Sequence, residues 1–143
     1  MEKATSKKVK QICLIDDDPI FTKMLQRLIT LHDFSSDFIS FNNGKKAMDF
    51  YLEAQAEAPD MILLDLNMPV MDGWQFLDAL TAKNIHKLSK TPIYVVTSSV
   101  HSVDVERAAA INRVKEYVVK PITLENLVKL LQTTFLDNGK NIA

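Results

Sequence analysis

The sequence of 143 residues predicts an α/β fold, in which a parallel sheet of five strands carries helices on both faces. Short apolar runs that are typical of strands alternate along the chain with longer segments in which apolar residues recur every three or four positions, as on one face of a helix. Strands that alternate with helices form a parallel sheet, because each helix returns the chain to the same end of the sheet. The sequence contains no repeat, linker or low-complexity segment, so we expect a single domain.

The composition narrows the class of function. Hydrophobic residues make up 47% of the chain and charged residues 24%, and the net charge of −1 does not favour a large nucleic-acid-binding surface. No apolar run reaches the roughly 20 residues of a membrane span, and residues 1–8 lack the apolar core of a signal peptide. We therefore expect a cytoplasmic protein that contacts neither a membrane nor nucleic acid directly.

Cys13 is the single cysteine and lies within the apolar run over residues 12–15. A disulfide within the chain is therefore impossible, and the pattern predicts a buried thiol in a strand. A reactive or intermolecular thiol is the alternative, which apolar surroundings disfavour because they raise the thiol pKa.

The first half of the chain is predicted to contain, in order, a flexible tail over residues 1–8, a strand over 10–15, a helix over 19–31, a strand over 35–41 and a helix over 44–55. Asp18 and Pro19 suit the N-cap and the first turn of the first helix. Polar residues fall on both faces of the strand over 35–41, so we expect it at an edge of the sheet.

The second half is predicted to contain a strand over residues 61–64, a helix over 74–83, a strand over 93–96, a helix over 103–112, a strand over 114–119, a helix over 123–135 and a frayed tail over 137–143. The domain itself spans residues 9–136. The apolar residues 61–64 are typical of a strand buried on both faces, although a run this short also fits a segment of buried helix. The helix over 103–112 has a weak apolar stripe, which predicts an element that is held loosely.

Polar residues follow four of the predicted strands at the point where each strand ends. Asp16 and Asp17 follow the first strand, Asp65 the third, Thr97 the fourth and Lys120 the fifth. The carboxyl ends of parallel strands lie along one edge of the sheet, where ligands bind in open α/β folds. Polar residues that simply end strands would explain any one of these positions. This interpretation explains poorly why the two central strands both end in aspartate.

These residue types indicate phosphoryl chemistry. Carboxylates that lie close together repel, and a hard divalent cation with oxygen ligands relieves the repulsion. Mg²⁺ fits, since it is bound by one or two carboxylates together with waters and a phosphate oxygen. Lys120 and Thr97 would offer a positive charge and a hydrogen-bond donor to a phosphoryl group, and an aspartate can itself be the nucleophile that forms an acyl phosphate.

Four motifs in order carry a resemblance to a known family: residues 14–18 (LIDDD), 64–73 (LDLNMPVMDG), 96–98 (VTS) and 117–121 (YVVKP). With these motifs, residues 9–136 resemble the receiver domain of two-component response regulators, of the stand-alone, CheY-like type. The resemblance implies a flavodoxin-like sheet with the strand order 2-1-3-4-5. It also implies a phosphoprotein that acts as a signalling switch in a phosphorelay.

By this resemblance, Asp65 is the phosphoacceptor. The family pattern implies that Asp17 binds Mg²⁺ directly and that Asp16 acts largely through water. Asp65 itself and the backbone carbonyl of Asn67 would complete the metal site.

The resemblance also implies a switch that responds to the phosphoryl group. Thr97 would move its hydroxyl to a phosphoryl oxygen, Lys120 would pair with the phosphoryl group, and Tyr117 would turn inward when Thr97 shifts. A packed strand aromatic is the alternative for Tyr117. The Lys120-Pro121 peptide bond is expected to be cis, an isomer that only proline makes accessible at low cost.

The expected partners are a histidine kinase or a histidine phosphotransfer protein as the phosphodonor, and a downstream protein that binds the surface formed by the fourth helix, the fifth strand and the fifth helix.

Residues 110–116 lack the glycine and the small residues that are usual in this family between the fourth helix and the fifth strand, so we expect a stiffer or differently shaped loop. Because no output domain fits after Phe135, a stand-alone receiver is expected.

Two alternatives remain open. A phosphatase of the haloacid-dehalogenase class also uses an aspartate nucleophile on a parallel sheet, but it carries a second aspartate at the position of Asn67. Since asparagine cannot take the proton, a phosphoaspartate should persist, and we expect no enzyme beyond self-phosphotransfer and autodephosphorylation. A pseudo-receiver that binds partners without phosphorylation is the second alternative. The complete set of site residues disfavours it.

Overall fold

The computed structural model describes residues 8–139. Its five strands, numbered in chain order, form one parallel sheet in the order 2-1-3-4-5, which confirms the predicted fold class, strand order and edge position of the second strand. Residues 1–7 of the predicted N-terminal tail and residues 140–143 of the C-terminal tail lie outside the described residues. Within 8–139, no helix combines the length and the hydropathy that crossing a bilayer requires. The elements are β1 (Val9–Ile15), α1 (Pro19–Leu31), β2 (Ser35–Phe41), α2 (Gly44–Tyr51), β3 (Met61–Leu64), α3 (Gly73–Lys83), β4 (Ile93–Thr97), α4 (Ser102–Ala109), β5 (Val114–Val119) and α5 (Leu124–Gly139).

The central strand β3 is buried on both faces of the sheet. Met61 and Leu63 pack into a cluster with α1 and α5, whereas Ile62 and Leu64 pack into a cluster with α2 and α3. All four residues are fully buried, which confirms the prediction of a strand and excludes the buried helix. The sheet therefore lies between a layer formed by α1 and α5 and a layer that contains α2 and α3, and α4 packs beside β5.

Cys13 lies in the core cluster on the α2 and α3 side of the sheet. It is fully buried, and this burial raises the pKa of its thiol to about 12. The predicted buried strand thiol is confirmed.

α2 is shorter than the sequence predicted. The apolar spacing predicted a helix over residues 44–55, but the helix ends at Tyr51. Lys87 Nζ donates hydrogen bonds to the carbonyls of Glu53 (2.5 Å) and Ala56 (2.7 Å), and the Glu53 carbonyl also accepts the N–H of Ala56 (3.2 Å), so both carbonyls have partners outside a continuous α-helix. Lys87 belongs to a short 3₁₀ turn, His86–Leu88, that the sequence did not predict. A tertiary contact therefore overrides the local helical pattern.

The ends of α4 and α5 also differ from the prediction. α4 stops at Ala109, before the predicted end at residue 112, and Ala108 is its buried residue. The N–H of Ile111 donates to the carbonyl of Ala108, a tighter turn that closes the helix. α5 continues to Gly139, beyond the predicted end at residue 135, because the apolar face that marked the prediction ends before the helix does. The other boundaries agree with the prediction to within one residue.

Backbone hydrogen bonds continue past the strand ends and fix the residues that follow. The N–H of Asp65 donates to the carbonyl of Ile15 (2.9 Å), and the N–H of Lys120 donates to the carbonyl of Thr97 (2.8 Å). The residues that follow β3 and β5 are thus held against the ends of the neighbouring strands. They lie along one edge of the sheet, as the parallel order predicts.

Candidate functional site

Three carboxylates meet at the carboxyl edge of the sheet. Asp16, Asp17 and Asp65 each offer one oxygen, and the three oxygens lie within 4.8 Å of one another. Asp16 and Asp65 are buried, whereas Asp17 is exposed. Hard divalent cations take oxygen ligands of this kind and fill their remaining positions with water, so the donor set fits Mg²⁺. Asn67 lies on the loop after Asp65, and its side chain is exposed; the contribution of its backbone carbonyl to the metal stays a prediction.

Both carboxylate oxygens of Asp16 have a polar partner. Its Oδ1 accepts the N–H of Asp18 (2.9 Å), and its Oδ2 forms an ion pair with Lys120 Nζ at 2.7 Å. Burial raises the pKa of the Asp16 carboxyl, and the nearby charge of Asp65 raises it further, against the lowering effects of Lys120 and the Asp18 N–H. The fold therefore holds a carboxylate whose charge is only partly compensated.

The two carboxylate oxygens of Asp65 have different partners. Its Oδ1 accepts the N–H of Leu66 at 2.7 Å, and its Oδ2 lies 3.5 Å from Lys120 Nζ. Behind this residue α3 begins at Gly73, where a Cβ would stand 2.4 Å from the Asp65 carbonyl oxygen. Only glycine permits this approach, so the start of α3 fixes the backbone that carries the carboxylate.

Lys120 joins the acidic cluster from the end of β5. Burial by itself would lower the pKa of Lys120, but its hydrogen bond to Asp16 and the charges of Asp16, Asp65 and Asp18 raise it. The ammonium also lies over the ring of Phe21, 4.4 Å from the ring centroid. The Lys120-Pro121 peptide bond is cis, the isomer that the family resemblance implies.

The loop between Asp65 and α3 contains an unusual backbone conformation at Val70. This β-branched residue has φ 69°, and the N–H of Met71 donates to the carbonyl of Pro69 (2.7 Å) across it. The three residues form a γ-turn of the strained, positive-φ kind. The carbonyl of Met71 accepts the N–H of Gly44 (3.0 Å), which ties the loop to the start of α2. Pro69 in the sequence predicted a turn here, but nothing in the residue type of Val70 predicted its conformation.

The two predicted switch residues meet at a third residue, Ser99. Thr97 is fully buried, and its Oγ1 accepts the N–H of Ser99 at 3.5 Å. The hydroxyl of Tyr117 donates to the Ser99 carbonyl (2.9 Å), and the Ser99 hydroxyl donates to Asp104 in α4 (2.5 Å). Ser99 thus connects the end of β4 with β5 and with the first turn of α4.

The structure brings most of the predicted site residues together, and it adds two that the sequence did not single out. Asp16, Asp17, Asp65 and Lys120 form one cluster. Phe21 carried only the signal of a core position in a helix, and the serine two residues after Thr97 carried only that of a loop residue. Their contacts depend on side-chain directions that periodicity does not define.

The sequence and the structure both match known proteins. Residues 12–132 match the family described as "Response regulator receiver domain". Response regulator Rcp1 of Synechocystis sp. (strain PCC 6803) is 31% identical over 128 residues, which cover 86% of this chain and 84% of Rcp1. The nitrate/nitrite response regulator protein NarL of Escherichia coli is 34% identical over 121 residues, which cover 84% of this chain and 52% of NarL.

Solved structures share the fold. A two-component response regulator from Cytophaga hutchinsonii superposes with a TM-score of 0.78 at 26% identity, over 90% of this chain and 98% of that chain. The Mn(2+)-bound form of Rcp1 superposes with a TM-score of 0.70 at 28% identity, over 88% of this chain and 91% of that chain.

The relatives differ in length. The chain spans 78% of the probable methanogenesis regulatory protein FilR2 of Methanothrix harundinacea, but 54% of the two-component response regulator ORR1 of Oryza sativa and 7% of hybrid signal transduction histidine kinase I of Dictyostelium discoideum. The family model covers most of this chain, so the part of the chain that matches these relatives is its receiver domain. The protein belongs to the receiver-domain family of two-component response regulators.

Proposed function

We propose that this protein is a phosphorylation-dependent signalling switch and not an enzyme that turns over a separate substrate. Asp65 accepts a phosphoryl group from a phosphohistidine on a histidine kinase or a histidine phosphotransfer protein. The observation that carries the proposal is Asp65 Oδ2, which lies 3.5 Å from Lys120 Nζ within a cluster of three carboxylates. Hybrid histidine kinase I of Dictyostelium discoideum contains a similar segment, which supports a donor of this class.

The transfer forms one bond and breaks one bond. Asp65 Oδ2 attacks the phosphorus of the phosphohistidine, and an acyl phosphate bond forms on the carboxylate. The bond between phosphorus and the imidazole nitrogen breaks, its electron pair stays on that nitrogen, and the nitrogen takes a proton. Lys120 stabilises the charge of the transferred group, since its ammonium is already within reach of Oδ2.

Asp16, Asp17 and Asp65, with the backbone carbonyl of Asn67, would hold Mg²⁺. The fit rests on the three oxygens that lie within 4.8 Å of one another, and the Mn(2+)-bound form of the related Rcp1 supports a divalent cation. When bound, the cation supplies positive charge that offsets the repulsion between the carboxylates and the phosphoryl oxygens.

The response to phosphorylation passes through Thr97. Its hydroxyl would move to a phosphoryl oxygen and leave the N–H of Ser99, which now lies 3.5 Å away. Ser99 also contacts Tyr117 and Asp104, so its displacement would alter both the β5 aromatic and the start of α4. The charge added at Asp65 would thus shift an equilibrium between two conformations of the surface.

The face that changes is formed by α4, β5 and α5. This face exposes apolar side chains that a partner could bury: Val103 is 71% exposed, Val119 39% and Leu124 41%. We propose that a downstream protein binds this face with an affinity that depends on the phosphorylation of Asp65.

Incubation with phosphoramidate tests the proposal. Intact-mass spectrometry of the wild type should show the addition of one phosphoryl group in the presence of Mg²⁺ and none with a chelator. Asp65→Asn should gain nothing under either condition, because it lacks the nucleophilic oxygen. Rapid hydrolysis of a small phosphomonoester by the wild type would instead support the phosphatase. A wild type that acquires no phosphate would support the pseudo-receiver.

A further inference from the structure

We propose that Phe21 is a positioning residue for Lys120, whose ring holds the ammonium in the place from which it acts on the group transferred to Asp65. The inference rests on the proposed function and extends it to an apolar side chain that has no group able to accept the phosphoryl group or bind the metal. Its basis is the packing around one nitrogen atom.

The ammonium of Lys120 is bounded on three sides. Nζ lies 2.7 Å from Asp16 Oδ2, 3.5 Å from Asp65 Oδ2 and 4.4 Å from the centroid of the Phe21 ring. The Lys120 side chain is 14% exposed and Phe21 is 6% exposed. Water is therefore largely excluded from the contact between the ring and the cation, which is the condition under which a cation–π contact is strong.

The ring supplies attraction that an aliphatic side chain of similar size lacks. A phenyl face carries negative charge density, so it attracts the ammonium without competing for its N–H donors, which remain available to the carboxylates. Lysine is a flexible side chain on a four-carbon stem, and holding it in one place lowers the entropy lost at the transition state.

The first turn of α1 fixes the ring relative to the acidic cluster. Asp18 Oδ1 accepts the N–H groups of Ile20 (2.9 Å) and Phe21 (3.3 Å). Asp18 is therefore the N-cap of α1, and Phe21 lies in the first turn that it caps. The N–H of Asp18 in turn donates to Asp16 Oδ1. One short segment thus links the carboxylate and the ring that contact the same ammonium.

The test compares two phenylalanines of one core cluster. Phe21→Leu removes the ring that faces Lys120, and Phe34→Leu makes the same change in a residue that packs against the same cluster and stacks on His32. Pentafluorophenylalanine at position 21 keeps the shape of the ring but reverses its charge distribution, so it tests the electrostatic contact in a folded protein. Phosphorylation by phosphoramidate with Mg²⁺ is measured for each form, together with Mg²⁺ affinity and the NMR shifts of the Lys120 Cε protons without metal.

We expect both changes at position 21 to slow phosphorylation about tenfold, with Mg²⁺ affinity unchanged. The Lys120 Cε protons should lose their ring-current shift in Phe21→Leu, whereas Phe34→Leu should keep the wild-type rate and spectrum. Wild-type rates in the pentafluorophenylalanine form, or an equal loss of rate in Phe34→Leu, would overturn the role of Phe21. A wild type that acquires no phosphate at all would refute the proposed function instead, so the two failures are distinguishable.

Discussion

At the scale of single residues, Asp16 carries a charge that the fold opposes. Its side chain is fully buried, and burial together with the charge of Asp65 raises its pKa. The ion pair with Lys120 at 2.7 Å compensates this only in part. Such an arrangement costs stability, and groups with strongly shifted pKa values cluster at functional sites.

Asp16→Asn should therefore stabilise the metal-free protein. The amide keeps the shape of the side chain but removes the buried charge, while Lys120 keeps Asp65 as an ionic partner. We expect the free energy of unfolding at neutral pH to rise by about 1 kcal/mol. Urea unfolding in the presence of a chelator measures this difference. The same substitution should weaken Mg²⁺ binding, because it removes one of the three carboxylates.

The advantage of Asp16→Asn should shrink as the pH falls. A raised pKa means that folded Asp16 binds its proton more tightly than the unfolded chain does. The contribution of the protonated form is fully present below the unfolded pKa and is lost as the pH rises through the folded pKa. An advantage that stays constant between neutral pH and the acid range, or a loss of stability at neutral pH, would contradict this account of the Asp16 charge.

Val70 is strained by its positive φ of 69° and gains little from burial, since its side chain is 73% exposed. Asparagine tolerates this conformation better than any β-branched residue. Val70→Asn should raise the free energy of unfolding by about 1 kcal/mol, measured by urea unfolding. Val103→Asn is the control, because Val103 is 71% exposed in a helix and has no positive φ. Stabilisation that is absent at position 70 or equal at both positions would show that the loop is not strained.

At the scale of secondary-structure elements, α1 and α4 differ in how they are held. α1 runs over Pro19–Leu31 and buries Phe21, Leu25 and Ile29. α4 buries only Ala108 and is attached by polar contacts, from Asp104 to Ser99 and from Arg107 to the ring of Trp74 at 4.1 Å. An element with few buried apolar contacts opens at low cost, which suits the proposed role of α4 as the helix that shifts when Ser99 moves.

Hydrogen exchange measures this difference directly. Backbone amides at residues 106–109 of α4 should exchange at least about tenfold faster than those at residues 25–29 of α1, because local opening of α4 exposes little apolar surface. Ser99→Ala should increase exchange in α4 and leave α1 unchanged, since it removes the hydroxyl that donates to Asp104. Equal protection of the two helices would remove the support for α4 as the moving element.

Sequence reasoning predicted the elements well where apolar spacing alone defines them. The cores of α1 and α5 follow directly from their periodicity, whereas the four apolar residues of β3 fitted both a buried strand and a segment of buried helix. The end of α2 could not be predicted, because it depends on Lys87, which reaches Glu53 and Ala56 from a distant turn. Such contacts are set by the assembled fold and not by the local sequence.

At the scale of the whole molecule, the parallel order of the strands creates the site. Asp16, Asp65 and Lys120 are far apart in sequence and meet because each follows the end of a strand in one sheet. This convergence could be predicted from the sequence, since it needs only the order of the elements. The Phe21 contact with Lys120 and the hydrogen bonds that meet at Ser99 could not be predicted, because they depend on the direction of individual side chains.

Mg²⁺ should stabilise the whole fold, because the carboxylates proposed to bind it converge only in the folded chain. At a free concentration ten times Kd, the expected gain in the free energy of unfolding is about 1.4 kcal/mol. Thermal unfolding with and without Mg²⁺ measures the gain. Asp17→Asn should show a smaller shift, and its exposed position makes an effect on folding itself small. Equal shifts for both proteins would mean that the cation acts elsewhere.

The most direct test of the central claim is to locate the phosphoryl group on the chain. After reaction with phosphoramidate and Mg²⁺, borohydride reduction converts a phosphorylated aspartate to homoserine, and peptide mass spectrometry then identifies the modified residue. We predict a single modified position, Asp65, whose Oδ2 faces Lys120. Modification at Asp16 or Asp17 with Asp65 unchanged would contradict the assignment of the acceptor on which the proposed switch depends.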